Sequence, residues 1–156
     1  MESNHVDVKG LENFKFNKLE MLNLSGNFIS NIKFENLDCE ELKYFDLRYN
    51  RLSEINIISK VKFKKLENIL FDANGIENIT VFDPLDLTEL KHINFRNNKI
   101  IDINVLDKFN FEKLETLILF DNKISDIKVF ENLNLKYLEI LDLELNNISD
   151  IYALQK

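Results

Sequence analysis

The sequence predicts an α/β solenoid, a right-handed coil with one parallel sheet of about six short strands and short helical or 3-10 turns on the opposite side. Three observations predict it. The stretch LETLILFDNKISDI (Leu114–Ile127) sets Leu114, Leu117, Leu119, Ile124 and Ile127 around Asn122, and the same frame recurs six times. Its anchors, Asn27, Asn50, Asn74, Asn98, Asn122 and Asn146, are separated by one interval of 23 residues and four of 24. Self-similarity at a fixed period marks a stacked array, in which each unit buries its apolar face against its neighbours. Around the middle leucine pair of each unit, apolar residues alternate with period two, which selects a strand of a few residues. Equivalent strands one coil apart run the same way, so the sheet is parallel. Five steps of about 4.8 Å make it roughly 24 Å wide.

In chain order, VKGLENFKFNKL (Val8–Leu19) matches the half of a coil that lies between strands, with Val8, Leu11, Phe14 and Phe16 corresponding to Ile103, Leu106, Phe109 and Phe111. A partial coil at 8–18 therefore precedes the first full one, and Met1–Asp7 is a loosely held lead-in. Six repeats fill 19–151, opening at Leu19, Leu42, Leu66, Leu90, Leu114 and Leu138. Returns such as ITVFDPLDL (Ile79–Leu87) and IKVFENLNL (Ile127–Leu135) space their apolar residues unevenly, which suits a tight 3-10 turn better than a long helix. The return IKFENLDC (Ile32–Cys39) is one residue short and accounts for the 23-residue interval. One Pro (Pro84) and three Gly leave no linker, so 1–156 reads as a single domain. After Ile151 only the remnant 152–156 follows, so the last coil is expected to lack its return. That end either joins another chain or continues a longer array.

Composition narrows the function. The 156 residues are 45% hydrophobic, enough for a continuous core, and 30% charged, with a net charge of −7. An acidic surface repels phosphate backbones, so nucleic acid is not expected as a partner, whereas basic proteins or peptide segments are. No run of about 18 apolar residues is present and no membrane partner is expected. The single cysteine, Cys39, suits a reducing compartment, and the N-terminal residues lack the pattern of a secretory signal. The cytoplasm is the simplest location, with a secreted chain or a fragment of a larger protein as the other readings. His5 and His92 are the only histidines. No Ser-His-Asp arrangement, Gly-rich phosphate loop or clustered metal ligands can be assembled from these residues. Neither an enzyme nor a cofactor is expected.

Stacking turns sequence positions into columns. The six asparagines sit where the backbone leaves each strand, and their amides are expected to satisfy buried backbone groups from coil to coil. Cys39 shares a column with Phe16, Phe63, Leu87, Phe111 and Leu135, which makes it a buried thiol. The columns Lys18, Glu41, Lys65, Glu89, Lys113, Tyr137 and Glu20, Lys43, Glu67, Lys91, Glu115, Glu139 alternate in sign almost throughout. Opposite charges thus meet on neighbouring coils, and a one-coil slip is disfavoured. The column Asn31, Glu54, Asn78, Asp102, Asp126, Asp150 either bridges a hard cation or caps local turn amides. The second reading is preferred, and no metal is assigned.

Function should reside in the outward strand positions, which vary from coil to coil while the core columns do not. They form three columns: Met21, Tyr44, Asn68, His92, Thr116, Ile140; Asn23, Asp46, Leu70, Asn94, Ile118, Asp142; and Ser25, Arg48, Asp72, Arg96, Phe120, Glu144. Arg48, Asp72 and Arg96, with Tyr44, Asp46 and His92 beside them, form either a polar recognition site or a salt-bridged ladder. Ile118, Phe120 and Ile140, with Leu70 and Leu145 close by, form an apolar patch of the kind that marks a partner site, unless Phe120 or Leu145 turns inward. The candidate partner-binding residues are Tyr44, Arg48, Leu70, Asp72, His92, Arg96, Ile118, Phe120, Ile140 and Glu144.

The frame L-x-x-L-x-L-x-x-N-x-L is that of leucine-rich repeats. The NKISDI and NNISDI endings resemble internalin-type repeats and those of the phosphatase-1 regulatory subunit built from similar units. The resemblance covers nearly the whole chain and implies a curved solenoid whose concave face grips another protein. The expected function is a non-catalytic interaction scaffold, a regulatory or targeting subunit, whose partner is basic or offers an apolar anchor. The alternative is an assembly module that self-associates, or joins a longer array, through its C-terminal end.

Overall fold

A coil that must bury one face and reverse direction within two dozen residues has room for only a short strand. The computed structural model describes residues 16–30, 39–55, 63–82 and 87–155. It contains six strands of three residues: β1 (Met21–Asn23), β2 (Tyr44–Asp46), β3 (Asn68–Leu70), β4 (His92–Asn94), β5 (Thr116–Ile118) and β6 (Ile140–Asp142). They pair in parallel in the order β1-β2-β3-β4-β5-β6, with Met21, Tyr44, Asn68, His92, Thr116 and Ile140 aligned across the sheet. The molecule is a leucine-rich-repeat solenoid, as the periodicity predicts.

The middle residue of each strand and the residue two beyond it point into the core, where Phe45, Leu47, Ile69, Phe71, Ile93, Phe95, Leu117 and Leu119 are buried. Aromatic rings run through the middle coils: Phe45 meets Phe71 edge-on at 5.3 Å, and Phe71 meets Phe95 at 5.8 Å. Phe82 joins Phe95 at 5.8 Å from the return side. Such edge-to-face pairs each add about 0.5–1.5 kcal/mol beyond the area they bury. Cys39 is fully buried among these apolar residues, as its column indicates.

Each strand ends in a turn that the asparagines hold. Asn98 Nδ2 donates to the carbonyls of Phe95 (3.0 Å) and Arg96 (3.2 Å) in its own coil and of Phe71 (3.0 Å) in the preceding one. Its Oδ1 accepts the Ile76 N–H at 3.1 Å. Asn50, Asn74, Asn122 and Asn146 repeat this arrangement. The amides thus bond to backbone rather than to one another. Among the described residues Asn27, in the first coil, donates to the carbonyls of Leu24 and Ser25.

The residue before every ladder asparagine lies in the left-handed region: Gly26 (φ 70°), Tyr49 (54°), Ala73 (51°), Asn97 (54°), Asp121 (52°) and Leu145 (55°). Glycine enters that region freely and Asn or Asp with modest strain, whereas Tyr, Ala and Leu are held there by the surrounding hydrogen bonds. No β-branched residue occupies the column.

Short 3-10 turns form the returns at Thr80–Phe82, Asn104–Lys108, Lys128–Glu131 and Tyr152–Leu154. A carboxylate or amide two residues upstream caps each: Thr80 N–H donates to Asn78 Oδ1, Asn104 N–H to Asp102, Lys128 N–H to Asp126 and Tyr152 N–H to Asp150, all at 2.8–2.9 Å. At Asn78, Asp102, Asp126 and Asp150 the column is therefore a set of turn caps. Among the described residues no group of three His, Cys, Asp or Glu side chains is placed to hold a metal ion. The remnant after Ile151 begins a return like the others, with Ala153 buried. The lead-in 1–7, residues 8–15 of the partial coil, the shortened return apart from Cys39, Asn31 and Pro84 lie outside the described residues.

The charge columns pair in a definite direction. Lys43 reaches back to Glu20 (2.9 Å), Lys65 to Glu41 (2.7 Å), Lys91 to Glu67 (2.9 Å) and Lys113 to Glu89 (2.7 Å), each lysine bonding the preceding coil. Hydrogen bonding to Glu20 and Glu67 raises the pKa values of Lys43 and Lys91, and Lys91 in turn lowers that of Glu67.

Candidate protein-binding surface

The parallel register places the outward positions of β1 to β6 in rows across one face of the sheet. The row through Asp46 and Asn94 is partly occupied with its own backbone. The N–H groups of Ser25, Arg48, Arg96 and Glu144 donate to Oδ1 of Asn23 (2.9 Å), Asp46 (3.1 Å), Asn94 (2.9 Å) and Asp142 (3.1 Å) respectively. These short side chains close the turn two residues on, as Asn and Asp do in local turns. Leu70 and Ile118 interrupt the row and are half-buried.

Arg48, Asp72 and Arg96 do not join into a ladder. The Arg48 guanidinium grips Asp46 of its own coil with two bonds, Nε to Oδ1 at 3.0 Å and Nη2 to Oδ2 at 2.7 Å, and that bonding raises its pKa further. Arg96 turns the other way and lies over the Phe120 ring, 3.9 Å from its centroid. Asp72, between them, folds inward, and its Oδ2 is buried without a hydrogen-bond partner. Burial lifts the Asp72 pKa, opposed by its own backbone N–H and by the Arg48 charge. His92 Nε2 stands 3.9 Å from Glu115 Oε2.

In the middle coils three outward positions are shut off from solvent, with Asp46, Asn68 and Asp72 only 4–8% exposed. Arg48 covers Asp46, and Asn68 lies in register between the larger Tyr44 and His92. Toward β6 the face opens. Ile140, Arg96 and Glu144 are exposed there and Ile118 and Phe120 are half-buried, while at the other end Tyr44 of β2 is exposed. Leu145 does not turn inward; it is 60% exposed on its left-handed backbone. Phe120 keeps to the face, under the Arg96 guanidinium. The structure thus brings Arg96 onto Phe120, with Ile118 and Ile140 in the adjoining rows of β5 and β6, and places Tyr44 and Arg48 toward the other end of the face.

Two features of this face were not anticipated from sequence. The side-chain caps had a signal in the recurrence of Asn or Asp at Asn23, Asp46, Asn94 and Asp142. The Arg96–Phe120 stack had one too, since the two are neighbours in a single column.

Residues 18–39 match the family described as Leucine Rich Repeat. Among solved structures, an internalin (inlF) from Listeria monocytogenes is similar, with 27% identity and a TM-score of 0.60 over 95% of this chain and 47% of that one. An internalin C2 from the same organism has 28% identity and a TM-score of 0.60, covering 89% of this chain and 67% of its own. The chain thus spans about half the length of the first. No curated protein matches the sequence.

Proposed function

We propose that this leucine-rich-repeat protein, internalin-like in its coils, is a non-catalytic scaffold that binds a partner protein on the exposed face of its sheet. One observation carries the reading. Ile118, Phe120 and Ile140 keep apolar surface on that face while Arg96 lies against it, and aromatic, aliphatic and arginine groups in one patch are the usual anchors of a protein interface. Tyr44, Arg48, His92 and Glu144 extend the surface as a polar margin, with the half-buried Leu70 among them and Asp72 beneath. The net charge of −7 favours a partner of opposite sign at long range. Cys39, the only cysteine, is a buried thiol, which supports a reducing compartment such as the cytoplasm as the proposed location. Among the described residues no helix is long and apolar enough to cross a membrane.

The test is capture of partners from the native host with the wild-type chain, Phe120→Glu and Arg96→Glu. Loss of the same captured protein with both variants supports the reading, and undiminished capture by both refutes it. A second reading rests on β6, beyond which Ile151 is 64% and Tyr152 73% exposed. That end would then join another copy. It ranks second because head-to-tail stacking sets Glu139 opposite Glu20. A monomer by light scattering at high concentration removes it.

A further inference from the structure

We infer that Arg96 is the receptor for a single carboxylate of the partner, an Asp or Glu side chain flanked by an apolar residue that lies on Ile118 and Ile140. The inference rests on the proposed use of the exposed sheet face and adds the chemistry of what that face accepts.

The chain has three arginines. Arg48 is spent on Asp46, with both of its bonds made inside one coil. Arg51 lies over Phe28, 4.3 Å from its centroid, and belongs to the turn after Asn50 rather than to the sheet. Arg96 alone stands on the face with no carboxylate paired to its guanidinium among the described residues, although the acidic Asp72 is its neighbour in the column. Its backbone is fixed at both ends: the N–H donates to Asn94 Oδ1, and the carbonyl accepts from Ala73 N–H (2.9 Å) and Asn98 Nδ2 (3.2 Å). The guanidinium lies on the Phe120 ring. A guanidinium stacked in this way keeps its in-plane N–H donors available as a fork, which matches the two oxygens of a carboxylate. Little rotamer freedom then remains to be lost on binding.

The immediate surroundings select the rest of the ligand. Ile118 is the adjacent residue of the neighbouring row in β5, and Ile140 is the exposed apolar residue of β6. An acidic side chain reaching Arg96 from an extended segment therefore brings its neighbour over these two isoleucines. Charge complementarity chooses a carboxylate over a cation at this point, although the chain as a whole is acidic. A mainly basic partner with one acid in the correct place satisfies both fields, and the opposition fixes its register.

The experiment selects a random dodecapeptide phage library on the full chain. The enriched peptide is then made as its C-terminal amide, with and without its acid replaced by the corresponding amide. Fluorescence anisotropy compares binding to the wild type, Arg96→Gln, Arg96→Lys and Lys99→Gln, the last removing one charge from the same coil away from the sheet. Expected is an Asp or Glu beside an apolar residue in every enriched peptide, with about tenfold weaker binding after either the peptide change or Arg96→Gln. The two together should cost little more than one alone. Arg96→Lys should recover only part of the loss, and Lys99→Gln should change binding less than about twofold. Additive losses, acid-free peptides, a requirement for a free C-terminal carboxylate, or no enrichment at all overturns the inference. So does an Arg96-dependent dimer in sedimentation, which makes the occupant a second copy. Acid-free peptides that lose binding on Phe120→Glu leave the face reading intact while removing the carboxylate. Peptides indifferent to Phe120→Glu remove both.

Discussion

Coils five and six carry nearly the same sequence frame, yet they are different physical objects. In coil five, Leu114, Leu117, Leu119 and Ile124 are all 0% exposed. Their counterparts Leu138, Leu141, Leu143 and Ile148 are only partly buried. The Ile124 N–H is met by Asn146 Oδ1, whereas among the described residues nothing meets the N–H of Ile148. Lys113 pairs with Glu89, but coil six offers Tyr137 and Glu139 at those positions and makes no such bond back to coil five. The difference shows that a coil's stability is conferred by the coils on either side, as expected for a quasi-one-dimensional array.

The sharpest way to break the comparison is to truncate the same core position in both coils. Leu117→Ala should cost about 2–5 kcal/mol in urea unfolding, and Leu141→Ala less than half of that, because its cavity opens to solvent. Equal losses would mean that burial does not depend on the neighbours. The amide ladder provides a second contrast. Asn98→Ala leaves buried backbone groups on two coils unpaired and should cost about 1–3 kcal/mol, while Asn146→Ala, whose bonds are only part-buried, should cost less. Strain provides a third. Leu145→Gly should gain about 1 kcal/mol in thermal melts, since glycine takes φ 55° without the side-chain clash. A loss there would show that the exposed leucine makes contacts of its own.

The smallest expected effect depends on pH. Burial raises the folded-state pKa of Asp72 above its ordinary value of 3.8, so the folded state holds that proton more tightly. The stabilisation this provides is complete below 3.8 and is lost as pH rises through the raised value. Across that window wild type should lose stability relative to Asp72→Asn as pH increases. A flat or opposite difference would place the carboxyl in a more solvated or better-paired setting.

The fold was largely legible because one-sided burial fixes the phase of every strand; a slip of one residue would turn Phe45 and Ile69 outward. The six asparagines were legible for the same reason, each standing at a fixed distance from its leucines. The left-handed column was hidden because Tyr49, Ala73 and Leu145 occupy positions that only Gly26, Asn97 and Asp121 advertise. On the exposed face the sequence shows which residues point outward but not which are already engaged. Asp46 and Arg48 are two residues apart and pair with each other, and Asn68 is shaded by larger neighbours; both depend on side-chain conformation rather than on period. Whether Arg96 turns to Asp72 or to Phe120 is likewise a choice between adjacent coils that spacing alone does not settle.

Amide hydrogen exchange on the chain alone tests the dependence of each coil on its neighbours most directly. Expected is protection that peaks in β3 to β5 and falls toward β1 and β6, with the Ile76, Ile100 and Ile124 amides slow and that of Ile148 fast. Uniform protection across all six strands, or an Ile148 amide as slow as that of Ile124, would contradict it.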